Sequence, residues 1–221
     1  MVKIQSWSFS AYVRVALAWL LLGAVALAAQ DTIASHQARV QGRAVGFPAP
    51  VTGTEVPMLG VNAALEQYDE QALTATLDRL SAGGFTWVRQ PFYWRQVERA
   101  PGQFDWHAAD RILAAMAHHP DLRLIAVLDD ANGQPPADPA DFAAFAGAFA
   151  ARYGAHVDHY QIWDEPNLAS HWGGGPVSPP AYADLLARAA RAIRAADPGA
   201  RILLAGLAPT TETGPRNLSD V

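Results

Sequence analysis

The sequence contains no cysteine. That excludes disulfides, thiolate metal sites and a cysteine nucleophile, and leaves an exported form of the chain to rely on its core alone. It also lacks an excess of positive charge: 16 Lys and Arg stand against 21 Asp and Glu, for a net charge of -5. That balance offers no footprint for nucleic acid or an anionic membrane surface and suits neutral or weakly polar substrates. No Gly-x-Gly-x-x-Gly turn follows the first strand candidate, which removes the usual sign of a dinucleotide cofactor. Nucleophile elbows, Ser-x-x-Lys and phosphate loops are missing as well. Seven histidines are present, but His156 and His159 enter a strand, where a spacing of three puts them on opposite faces. His118-His119 stand at a helix end, where the dipole favours cations. No metal and no cofactor are expected.

The N-terminal hydrophobic run is short. Lys3 and Arg14 precede an uncharged stretch from Val15 to Ala29, and Ala26-Leu27-Ala28 has the small residues an export peptidase reads. The run falls short of the ~20 apolar residues of a spanning helix. Residues 1–28 therefore read as a cleaved secretory signal, with an uncleaved N-terminal anchor as the rival. Either places the protein outside the cytoplasm, secreted or held at the membrane. Residues 29–55 have little periodicity and carry Gly42, Gly46, Pro48, Pro50 and Gly53, the composition of a linker or arm.

From residue 56 strand and helix patterns alternate. Strands are expected at Val56–Val61 (ending at Asn62), Phe85–Arg89, Leu122–Leu128, His159–Trp163 and Ile202–Leu207. Between them lie helices that begin near Asp69, Asp105, Asp138-Pro139 and Ser178-Pro179. Leu73, Leu77 and Leu80 line one helix, Phe142, Phe145 and Phe149 another, and Leu185, Ala189 and Ile193 a third, all at helical spacing. Five such alternations make an α/β protein with a parallel sheet, either a (β/α)₈ barrel or an open doubly wound sheet. Polar and aromatic residues gather just after strand ends, where barrel enzymes build their sites, so the barrel is preferred. About 250 residues make a full barrel. The stretch 56–221 holds five units and is expected to be an incomplete, TIM-barrel-type piece of a longer protein.

The most informative segment is Gln161-Ile162-Trp163-Asp164-Glu165-Pro166-Asn167. An apolar strand runs into two adjacent carboxylates and stops at a proline, which biases Glu165 towards extended geometry. This segment resembles the Trp-Asn-Glu-Pro-Asn signature of clan A glycoside hydrolases, and is closest to the β-xylosidase and iduronidase-type family (family 39) and related cellulase-like enzymes. Phe85-Thr86-Trp87-Val88-Arg89 is similar to the clan's second strand, and Gly102-Gln103-Phe104-Asp105-Trp106 to the run that opens its second helix. The resemblance spans roughly residues 56–210.

It implies hydrolysis of O-glycosidic bonds in a carbohydrate, with Glu165 as the general acid/base at the end of strand four. Asp164 replaces the asparagine that donates to the sugar 2-hydroxyl, and an ionised aspartate can only accept. Arg89 would orient and charge-pair the nucleophile. Trp94, with Tyr93, and Trp172 are candidate sugar platforms. Asn62 and, outside the main set, Asp129 are weaker candidates that read equally well as loop caps. The clan's nucleophile is a glutamate ending strand seven. None of the five strands corresponds to it, and Glu212 and Asp220 do not match its motif, so this polypeptide is expected to be inactive alone. The alternative is a non-catalytic carbohydrate-binding or cell-surface barrel protein.

Overall fold

The computed structural model describes residues 9–40 and 58–220, which belong to two compact units divided near residue 53. In the first, helix α1 runs Phe9–Val40. Every side chain from Tyr12 to Ile33 is exposed, including Trp19, Leu20 and Leu27. Tyr12–Ile33 is 22 residues with a mean hydropathy of 2.0. At 1.5 Å per residue it extends about 33 Å, enough to cross a bilayer. Counted between Arg14 and Ala29 alone, the uncharged run is shorter than a spanning helix. The helix tolerates Arg14 and Asp31 within a longer apolar window, and its length and composition suit a signal peptide and an anchor alike. It also continues through residues 30–40 of the expected arm, whose remaining residues 41–55 lie outside those described.

The second unit is built on five parallel strands: β1 (Leu59–Asn62), β2 (Phe85–Tyr93), β5 (Arg123–Asp129), β6 (His159–Ile162) and β7 (Arg201–Leu203). They lie side by side in the order in which the chain makes them. A doubly wound sheet reverses its order at a switch point, whereas a barrel does not. The architecture is therefore an arc of a (β/α)₈ barrel, incomplete among the described residues, as the sequence suggested.

Helices α2 (Glu70–Ala82), α4 (His107–Met116), α5 (Pro139–Tyr153) and α6 (Pro179–Ala196) connect the strands. Three begin where their caps dictate. Asp69 accepts from the Ala72 N–H (2.7 Å), Asp138 from Ala140 (2.9 Å) and Ser178 from Ala181 (3.3 Å). Pro139 and Pro179 occupy first-turn positions that need no N–H. A one-turn helix α3 (Trp94–Val97) and a small hairpin, β3 (Glu98–Ala100) with β4 (Gln103–Phe104), fill the loop after β2.

Strand boundaries shift by a residue or more throughout, and two strand ends differ most from expectation. β2 continues past Arg89 and through Pro91 to Tyr93. Its neighbour β1 ends at Asn62, opposite Arg89, so beyond that point β2 is an edge on this side and tolerates a residue without an N–H. β7 ends at Leu203, and Leu204 and Leu207 are exposed outside the ladder.

Register divides the sheet into two faces. Val88 pairs with Leu124; Gln90 with Ala126 and on to Tyr160; Phe92 with Leu128 and on to Ile162. All of these are buried. Helix α5 covers them with Phe142, Phe145 and Phe149, each fully buried. Phe149 alone touches Phe92, Trp106, Tyr153 and Tyr160. The buried Gln90 amide among them is satisfied: its Oε1 accepts from the Leu65 N–H (2.6 Å) and its Nε2 donates to Glu66 (2.7 Å). The opposite face carries Arg89 beside Ile125, His159 and Arg201, then Pro91 beside Val127, Gln161 and Leu203, and Tyr93 beside Asp129 at the C-terminal end.

Candidate active site

At the C-terminal ends of the strands, residues of that second face converge on Arg89. Its Nε donates to Gln161 Oε1 (2.9 Å), Nη1 to Asn62 Oδ1 (3.2 Å) and Nη2 to Asp164 Oδ1 (2.6 Å). All three guanidinium nitrogens are used, and three strands are tied together at their ends. Gln161 completes the network, with Nε2 donating to the Trp163 carbonyl (2.8 Å) and to Asp164 Oδ1 (3.3 Å). Arg89 and Asp164 are partly buried, with side chains 25% and 29% exposed. Their pairing is therefore less screened than a surface ion pair.

The loop carrying Asp164 and Glu165 is strained. Trp163 has φ 69 and Glu165 φ 47, both in the left-handed region, which costs about 1–3 kcal/mol for a residue with a side chain and gathers at functional loops. The expectation that Pro166 would hold Glu165 extended fails here. Instead, the Glu165 N–H bonds to the Gly206 carbonyl (3.0 Å), and the Trp163 N–H to the Leu128 carbonyl (2.8 Å). The fully buried Trp163 indole donates to the His171 carbonyl (2.9 Å) and packs edge-on to Phe142. Asn167, also buried, holds the far side: its Nδ2 donates to the carbonyls of Ala208 (2.9 Å) and Leu218 (3.0 Å), and its Oδ1 accepts from the Ala208 N–H (2.9 Å). The strain is thus held from both ends.

The Glu165 carboxyl stands at the mouth, its side chain 35% exposed, with His171 Nε2 3.4 Å from its Oε2. His171 is held there by a close approach of two loops. A Cβ on Gly133 (φ 60) would lie 2.7 Å from the His171 Cα, and the Gly133 carbonyl accepts from the Gly173 N–H (2.7 Å). Only glycine fits this crossing.

The electrostatics of the mouth are acidic. Asp129 is 8% exposed, and its Oδ1 has no hydrogen-bond partner. Burial pushes its carboxyl up to about 7; the Asp130 backbone N–H and Arg89 oppose this, while the negative charges of Asp164 and Asp130 add to it. The neighbouring Tyr93 phenol is raised first by burial and then by Glu66, Asp129 and Asp164. Asp130, by contrast, is a loop cap: its Oδ1 accepts from the Asn132 and Gln134 N–H groups (3.1 and 3.3 Å), and Arg95 pairs with its Oδ2 (2.6 Å). A cavity of about 240 Å³ adjoins the mouth through Glu66, Pro91 and Tyr93.

The residues singled out from sequence separate into two groups. Asn62, Arg89, Asp164 and Glu165 come together at the strand ends. Trp94 and Trp172 do not present a platform, and the reason is packing. Trp94 is 8% exposed, edge-on to Phe142, with its indole bonded to Glu98 and Arg95 over its ring. Trp172 is 7% exposed, wedged between Trp163 and Tyr182. The aromatic ring at the mouth is Tyr93. Glu212 accepts from Asn217 (2.6 Å) and Asp220 from the Thr210 N–H (3.0 Å), both within the C-terminal segment. Gln161 and Asn167 stand in the motif singled out from sequence but without a role of their own, and His171 was not among the candidates. Gln161 lies on the same strand face as His159, and that two-residue alternation was the available signal. Among the described residues, no group of His and carboxylates could hold a metal ion.

No family model matches the sequence, and no curated protein matches it. Solved structures do. A family 39 glycoside hydrolase from Bacteroides cellulosilyticus WH2 is similar with a TM-score of 0.51 at 22% identity, over 66% of this chain and 30% of that one. What this chain shares with it is the fold, part of a (β/α)₈ barrel. The exo-beta-1,4-mannosidase Op5Man5 from Opitutaceae bacterium strain TAV5 gives a TM-score of 0.56 at 20% identity, over 73% of this chain and 34% of that one. GH5_18 from Streptomyces cattleya, solved in complex with GlcNAc, gives 0.52 at 18% identity, over 67% and 44%. The chain spans less than half the length of each of these glycoside hydrolases.

Proposed function

We propose that this chain supplies the acid/base side of a glycoside hydrolase site, acting outside the cytoplasm on O-glycosidic bonds of oligo- or polysaccharides. The observation that carries this reading is the loop after β6. It holds two consecutive carboxylates in a strained backbone at the strand ends, one of them fixed to Arg89 and the other left at the open mouth. Glu165 protonates the glycosidic oxygen as the bond to the leaving group breaks. As a carboxylate it then takes a proton from the attacking water. His171, 3.4 Å from Glu165, steadies that carboxyl. Arg89, Gln161 and Asn62 fix Asp164, which accepts from a sugar hydroxyl, and Tyr93 offers an aromatic surface beside it.

Glycoside hydrolysis of this type needs two carboxyl groups, ~5–5.5 Å apart in retaining enzymes and ~6.5–9.5 Å apart in inverting ones. The partner expected at the end of a seventh barrel strand is not among the described residues, whose parallel sheet has five strands. The alternative reading is a non-catalytic carbohydrate-binding or cell-surface barrel protein. Assay of 4-nitrophenyl glycosides separates the two. In a polypeptide that completes the eight strands, Glu165→Gln is expected to lower turnover by about 10²–10⁴ while sugar binding persists. The chain of 221 residues alone is expected to stay near background. A completed barrel that binds sugars but never turns over would establish the second reading.

A further inference from the structure

At the end of the sheet opposite the candidate site, the face that carries Arg89 gathers positive charge. There Trp87 pairs in register with Arg123, and His159 with Arg201, at the N-terminal ends of the strands. The Arg123 guanidinium lies over the Trp87 ring, 4.4 Å from its centre, and the His159 ring stands edge-on to the same indole at 4.8 Å. Stacking occupies the flat side of a guanidinium and leaves its N–H edge for an oxyanion. Arg89 spends all three of its nitrogens on neighbouring side chains. Arg123 has instead a loose partner in Asp158, 3.8 Å away and 70% exposed, which is beyond hydrogen-bond distance. Arg201 is exposed. Burial, then the charges of Arg123 and Arg201, hold the His159 imidazole below its usual range, with Asp158 opposing them. A cavity of about 330 Å³ opens beside this cluster, lined by Arg123, His156, Asp158 and His159 together with Met116 and Leu122. His156 lies before the strand begins, so it borders the same cavity as His159 despite their spacing of three.

We propose that this end of the sheet is a second binding site, for a small oxyanion (sulfate, phosphate or carboxylate) held by Arg123 and Arg201 with His159 beside them. The site is separate from the candidate active site and does not rest on the glycoside reading. An oxyanion gives the guanidinium edges the charge-assisted, bidentate partners that their planar fork suits. It also offsets the repulsion at His159, so the imidazole takes up a proton more readily once the anion is bound. Asp158, the one carboxylate that lines the cavity, competes with the ligand for Arg123. Two sources share this chemistry, a free ion and the carboxylate of a further strand laid against β7.

The test titrates the full chain, in a non-ionic detergent, with sodium sulfate against sodium chloride at equal ionic strength, and follows the imidazole signals of His156 and His159 by NMR across pH. Sulfate is expected to shift both signals saturably and to raise the His159 pKa, whereas chloride does neither. Arg123→Gln and Arg201→Gln are each expected to weaken sulfate binding about tenfold. Asp158→Asn is expected to tighten it, a change of sign that a merely structural role would not produce. Arg201 is exposed on the edge strand β7 and carries the test if Arg123→Gln does not fold. A polypeptide that completes the eight strands separates the two sources. Lost sulfate binding with the His159 pKa already raised assigns the anion to a protein carboxylate; retained sulfate binding assigns it to solution. Shifts no larger than those with chloride in the 221-residue chain, or saturable shifts that neither arginine substitution changes, overturn the proposal and leave the candidate active site untouched.

Discussion

The two faces of the five-stranded sheet are made by alternate residues of the same strands, yet they are built for different solvents. The helix-covered face is sealed: Val88, Phe92, Leu124, Leu128, Tyr160 and Ile162 meet a layer of phenylalanines, and the polar Gln90 there is fully bonded. The other face carries Arg89, Tyr93, Asp129, His159 and Gln161, with charges paired across strands or left unpartnered. The first face supplies the stabilisation, since burying a large apolar side chain contributes about 1.5–3 kcal/mol. The second uses part of it to hold ionisable groups and a strained loop that water would otherwise relax. Fold and chemistry thus alternate along each strand with a period of two.

The sharpest way to break the sealed face is Phe149→Ala. This ring is fully buried against five others. The substitution should cost about 3–5 kcal/mol in urea unfolding monitored by circular dichroism. Asn167→Ala comes next. It leaves the Ala208 N–H and two carbonyls without partners, and about 2–3 kcal/mol is expected, together with faster amide exchange around residues 163–168 and 208–218.

Asp129 tests the other face through pH. Its carboxyl is raised from 3.8 to about 7 in the folded chain. The folded state therefore binds a proton that the unfolded state has lost. The stability from this group is complete below pH 3.8 and is lost as pH rises through about 7. Asp129→Asn should remove that loss, gaining about 1–2 kcal/mol at pH 8 and little at pH 4, read as Tm against pH. The smallest effect belongs to Glu165→Gln, which should change stability by no more than about 0.5 kcal/mol, since its carboxyl is at the mouth and one-third exposed. A large loss there would make Glu165 part of the scaffold, and the division between the faces would fail.

Much of the sealed face was legible in sequence. Phe142, Phe145 and Phe149 recur at three and four residues, and Asp69, Asp138 and Ser178 stand where caps belong, so local spacing carried the information. Strand ends were harder. β2 runs through Pro91 only because β1 stops first, and β1's length is not encoded near Pro91. The site was legible where a motif concentrated it, at Asp164 and Glu165. It was not legible where long-range packing decides, as for Trp94 and Trp172. An indole in a loop reads as a platform or as core until the loops around it are placed. Likewise, adjacent Asp129 and Asp130 look alike in sequence, and only the turn at residues 130–134 shows which carboxylate caps it and which keeps an oxygen unpartnered.

The stitching of Asn167 to Ala208 and Leu218, with Ala169 bonded to Asn217 and Val177 to Pro215, has a practical corollary for protein engineering. The loop that carries Asp164 and Glu165 is not a portable cassette. A chimera that imports residues 163–168 without segment 206–218 would carry the motif but not its scaffolding, and a change at Asn217, whose Oδ1 accepts from the Ala169 N–H, would be felt as lost alignment of Glu165, far along the chain from where it was made.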